Sequence, residues 1–119
     1  GVTHVAPEGF VTDDGPIPVR VVFRRWREGG GVIALFPELP ADAHGHFCDS
    51  YMHVGQHGGA DYHGVVRYTA PATPEESAAL AAELIRIGYW LVSVRRASPR
   101  LHNRRRKEAR RYRASSGSA

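Results

Sequence analysis

Val19, Val21 and Phe23 fall on one side of the chain at period two, with Arg20 and Arg24 opposite, the pattern of a half-buried β-strand. Glu28 and three glycines, Gly29 to Gly31, supply a turn, and the next five residues, Val32, Ile33, Ala34, Leu35 and Phe36, are all apolar. Such a run suits a strand buried on both faces. The two strands make a hairpin, and Pro37 and Pro40 are expected to end its second strand because proline cannot donate to a ladder. Residues 47–54 fit a third strand, which would set Cys48, Ser50, Met52 and Val54 on one face and Asp49, Tyr51 and His53 on the other. A glycine-rich loop over 55–61 and a fourth strand over 62–69 complete a second predicted hairpin.

The period then changes. Leu80, Leu84 and Ile87, widened by Ala81 and Ile85, repeat at helical spacing. Thr73 and Glu76 make a capping box, Pro74 suits the first helical position, Glu75 complements the positive helix end, and Gly88 stands where a left-handed terminator belongs. A helix is predicted over 74–87 and a last strand over 89–94. The expected fold is therefore α+β: a small, mostly antiparallel sheet in the order β-β-β-β-α-β with one packed helix. Residues 1–16, with Pro7, Gly9, Gly15 and Pro16 and no sustained period, read as an irregular lead-in. Residues 17–94 form a single compact domain, and 95–119 a basic arm, helical or disordered. Ser98 and Pro99 can start a helix there, but Leu101, Ala109 and Tyr112 make a poor apolar face.

Charge sharpens the division. Residues 1–94 carry six Arg against 11 Asp and Glu, whereas 95–119 carry nine Arg and Lys107 against Glu108 alone. The overall +4 thus conceals a mildly acidic body and a strongly cationic end. Fifteen Arg against one Lys follows high-GC codon usage as readily as phosphate recognition, so the clustering carries the information. A dense run of cations repels itself and calls for a polyanion. Arg95, Arg96, Arg100, Arg104, Arg105, Arg106, Lys107, Arg110, Arg111 and Arg113 are the candidate contacts to nucleic acid, DNA or RNA. On an isolated helix they would lie on nearly every side, which suits wrapping by phosphate rather than lying on a membrane.

The single Cys48 excludes an intrachain disulfide framework and a Cys-paired zinc ribbon. Apolar stretches fall far short of the about 20 residues that span a bilayer. A cytoplasmic chain with no membrane partner is expected. Phosphate-loop, dinucleotide, Gly-x-Ser-x-Gly and Cys-x-x-Cys patterns are absent, and no cofactor is expected.

Titratable groups concentrate between Cys48 and Gly64. For metal-free phosphodiester chemistry, His53, His57 and His63 with Asp61 could move protons, Tyr51 could act as acid, and Arg67 could hold a phosphate. A metal, if any, would fall to His53, His57, Asp61 and His63, although the intervening glycines argue against the helix that would align them. Cys48 as a nucleophile lacks a base at recognisable spacing. The structural alternative is a turn held by its own His and Asp side chains. Arg24, Arg25, Trp26 and Arg27 could grip nucleic acid by stacking, yet a lone Trp in a strand ordinarily packs in the core.

The segments Val32-Ile33-Ala34-Leu35-Phe36-Pro37, Cys48-Asp49-Ser50-Tyr51-Met52-His53-Val54-Gly55-Gln56-His57-Gly58, Ala60-Asp61-Tyr62 and Thr73-Pro74-Glu75-Glu76 before Ile87-Gly88-Tyr89 together resemble a family of small uncharacterised bacterial and phage or mobile-element proteins over residues 19–95. The resemblance implies a single α+β unit and a link to mobile elements, and it implies no catalytic residues. The arginine-rich end departs from the family pattern. Three functions are carried forward: association with nucleic acid through the basic arm, a small His-dependent hydrolase or nuclease, and a protein-protein interaction module whose acidic body covers its own arm.

Overall fold

The computed structural model describes residues 11–12, 15–52 and 56–117, with side chains over 17–52 and 57–111. Two short strands, β1 (Val11–Thr12) and β2 (Gly15–Pro16), pair antiparallel within the predicted lead-in. The main sheet begins with β3 (Val19–Trp26) and β4 (Val32–Pro40), an antiparallel hairpin that places Val22 opposite Leu35 and Arg25 opposite Val32. Its turn uses Gly29 and Gly30 at φ 84° and 72°, left-handed conformations open to glycine at little cost.

The second hairpin differs from the predicted one. β5 (Cys48–Met52) pairs antiparallel with β6 (Gln56–Ala60), so the segment expected to be a loop is the outermost strand. Gly59 has a packing reason here, since a Cβ on it would lie 3.3 Å from Ala41 Cβ; beside it the Ser50 hydroxyl donates to the Gly58 carbonyl at 2.7 Å. The predicted fourth strand is helix α1 (Tyr62–Tyr68). Tyr62, Val65 and Val66 face one core at spacings i, i+3 and i+4, a helical period that the β-branched pair disguises as a strand. Arg24 holds the end of α1: its Nη2 donates to the carbonyls of Val66 (3.1 Å) and Thr69 (2.8 Å), and its Nε to Thr69 Oγ1 (2.9 Å). Terminal helix carbonyls lack intrahelical donors, and a guanidinium supplies them.

Strand β7 (Thr69–Pro71) returns to pair antiparallel with β3, and α2 (Pro74–Arg86) follows with the predicted capping box intact. Thr73 Oγ1 accepts from the Glu76 N–H, Glu76 Oε1 accepts from the Thr73 N–H, and Arg25 Nε lies 2.8 Å from Glu76 Oε2. Gly88 ends the helix region at φ 114°. Strand β8 (Leu91–Ser93) then joins β3 in parallel, with Val19 opposite Leu91. The order β6-β5-β4-β3-β7, with β8 beside β7 along the same edge of β3, completes an α+β fold.

The sheet has a core on each face. Val21, Phe23, Ala34, Phe36 and Tyr51 meet Leu80 and Leu84 of α2 on one side. Val22, Ile33, Leu35 and Cys48 meet Tyr62 of α1 on the other, where Trp26 packs half-buried with Val65 and Val66. Trp26 therefore follows the core reading. The residue alternation predicted for β5 is present, with Cys48 and Tyr51 in opposite cores.

Helix α3 (Pro99–Gly117) revises the picture of a detached arm. It packs against β4 on the α1 side of the sheet. Nor does Pro37 end β4: the strand runs on to Pro40 with a shift of register between Phe36 and Pro40. An irregularity of this kind tolerates a residue without an N–H and turns backbone groups away from the ladder.

Candidate nucleic-acid interface

Leu101, Arg105 and Ala109 are spaced four residues apart, so they share one face of α3, and all three are buried, as is His102. The apolar stripe is thus interrupted by a guanidinium that is only 3% exposed. Arg105 Nε donates to the Gly45 carbonyl and Nη1 to the Pro37 carbonyl, each at 2.8 Å. The Pro37 carbonyl lies in the irregular stretch of β4. Nη1 also lies 2.7 Å from His102 Nδ1; arginine only donates, so Nδ1 accepts and His102 is neutral. Burial first, and the Arg105 charge second, lower the His102 pKa to about 4. Burial likewise lowers the pKa of Arg105, but a guanidinium retains its proton. A loop seats against the same point: Gly45, at φ 72°, has so little room that a Cβ there would stand 3.0 Å from Arg106 Cα.

Arg104 adds a second tie. Its Nη1 donates to Glu38 Oε2 at 2.7 Å, while Glu38 Oε1 accepts from the Arg20 N–H at 2.8 Å. Glu38 is the body carboxylate that pairs with α3 among the described residues. The acidic surface of the body does not otherwise cover the helix through ion pairs there.

Docking of this face leaves the cations one-sided. Arg100, Arg106, Lys107, Arg110 and Arg111 are exposed, Arg104 is partly so, and Arg95 and Arg96 are exposed in the turn leading into α3. Only Glu108 offsets them on the helix, paired with Arg111 at 3.0 Å. Arg105 holds the helix in place and is not a surface contact, and an arm presenting cations all round gives way to a helix presenting them outward. The side chain of Arg113 lies outside the described residues. Among those residues no helix is long and apolar enough to cross a membrane.

The titratable residues between Cys48 and Gly64 are divided between the two faces of the sheet. Tyr51 and His57 are opposite one another in the β5/β6 ladder, rings 4.7 Å apart, on the α2 side. Asp49 Oδ2 is 4.0 Å from His57 Nδ1, and Tyr51 donates to Glu83 Oε1 at 2.7 Å. Burial raises the Asp49 pKa, opposed by His57. Asp61 precedes α1, while His63 and Arg67 are exposed on that helix, across the sheet from His57. His63 lies instead near His102, ring centroids 5.1 Å apart and tilted by 33°. The sheet thus separates Tyr51 and His57 from Arg67, which shares its side with Asp61 and His63; His53 lies outside the described residues. Cys48 is fully buried, and burial raises its thiol pKa to about 11, which removes it as a nucleophile near neutral pH. Among the described residues no group of three His, Cys, Asp or Glu side chains is placed to hold a metal.

No protein family, curated protein or solved structure matches the chain.

Proposed function

We propose that the protein associates with nucleic acid, largely independently of sequence, through the outer face of α3. The observation that carries this reading is the one-sided cation array: Arg100, Arg106, Lys107, Arg110 and Arg111 point outward from a helix whose other face is fixed by Leu101, His102, Arg105 and Ala109. A preorganised row of charges avoids the ordering cost that a free arm meets on binding, and phosphate neutralisation by such a row releases counterions without reading bases.

Fluorescence anisotropy with labelled DNA and RNA between 50 and 200 mM salt tests it. Binding should weaken steeply with salt, and the combined Lys107→Ala, Arg110→Ala and Arg111→Ala variant, altered only at exposed positions, should flatten the slope of log K against log salt by about 2 to 3. Salt-insensitive binding, or an unchanged slope in the variant, would exclude the interface.

A further inference from the structure

The same side of the sheet offers an aromatic face. Tyr68, at the end of α1, is 64% exposed, more than any other large hydrophobic side chain described. Two exposed arginines adjoin its backbone: Arg67 precedes it in the helix, and the Arg27 N–H donates to the Tyr68 carbonyl at 3.3 Å. Glu28, next to Arg27 in the turn, is the neighbouring acid. Beneath them, Arg24 satisfies the last carbonyls of α1, so Arg27 and Arg67 are not needed to close the helix. Helices α1 and α3 meet through His63 and His102, and through Tyr62, whose hydroxyl accepts from the Ala97 N–H at 2.7 Å.

An exposed ring with exposed arginines on the adjoining backbone can stack a base while the cations take nearby phosphates. Only an unpaired strand presents its base faces, because a duplex hides them in the stack. Resting on the nucleic-acid reading above, we infer that the preferred ligand is single-stranded, with its phosphates along α3 and one base stacked on Tyr68 near Arg27 and Arg67.

The test uses the full chain with labelled oligo-dT, oligo-U and a mixed-sequence duplex. Single strands should bind more tightly than the duplex. Tyr68→Ala should weaken single-strand binding about tenfold and Tyr68→Phe, which keeps the ring, by less than about twofold, with duplex binding unchanged in both. Equal single-strand affinity for Tyr68→Ala and the wild type, or a preference for duplex, overturns the stacking site. If the triple α3 variant loses binding while Tyr68→Ala does not, the stacking site falls and the α3 interface stands. Absence of binding to all three ligands removes both.

Discussion

Helices α2 and α3 cover opposite faces of one sheet by different chemistry. Helix α2 buries Leu80 and Leu84 against Val21, Phe23 and Phe36, an association driven by apolar area removed from water. Helix α3 buries Leu101 and Ala109 with a guanidinium and an imidazole between them, and satisfies those groups with backbone carbonyls and each other. The first attachment is chiefly apolar, with the Arg25–Glu76 ion pair and the Tyr51–Glu83 hydrogen bond added to it. The second is directional, since each donor must meet its acceptor, and depends on His102 remaining neutral.

Truncation at the two contacts should separate them. Leu84→Ala opens the α2 core and should cost about 3 to 4 kcal/mol of global stability in urea unfolding. Arg105→Ala strands the Pro37 and Gly45 carbonyls, and a loss of about 2 to 3 kcal/mol is expected. The two losses should distribute differently. Hydrogen exchange should quicken throughout the sheet for Leu84→Ala, but chiefly in α3 for Arg105→Ala. Uniform quickening in the Arg105 variant would mean that the helix and sheet unfold as one unit.

Acid should discriminate further. The folded pKa of His102 is about 4 against an ordinary 6.5, so the unfolded chain takes up the proton first as pH falls. Stability from this group is complete above about pH 6.5, is lost progressively toward pH 4, and is about 2 kcal/mol lower at pH 5. His102→Asn, which keeps an acceptor for Arg105, should lose less stability between pH 7 and pH 5 than the wild type. Parallel pH profiles for the two proteins would contradict this account of the contact.

The elements legible in the sequence were those governed by local rules. The β3/β4 turn, the capping box at Thr73 and the helix ahead of Gly88 each rest on neighbouring residues, and each is present in the structure. Strand β6 was obscured because Gly58 and Gly59 signal a turn, although here Gly59 admits Ala41 and Phe47. Helix α1 was obscured by Val65 and Val66, whose strand propensity gives way to packing and to the Arg24 contacts. The cation cluster was legible as composition, but its orientation was not. The spacing of Leu101, Arg105 and Ala109 held the signal for docking, with an arginine in the apolar slot; the acceptors that make that slot habitable come from residues 37 and 45, far away in the chain.

The interruption of β4 has a mechanical consequence. A ligand that tugs on α3 pulls at Pro37 and Glu38, within a strand bordered by β3 on one side and β5 on the other. Load therefore enters β4 between its Phe36 and Pro40 pairings, and must travel along the strand in both directions before the ladder to β5 can share it.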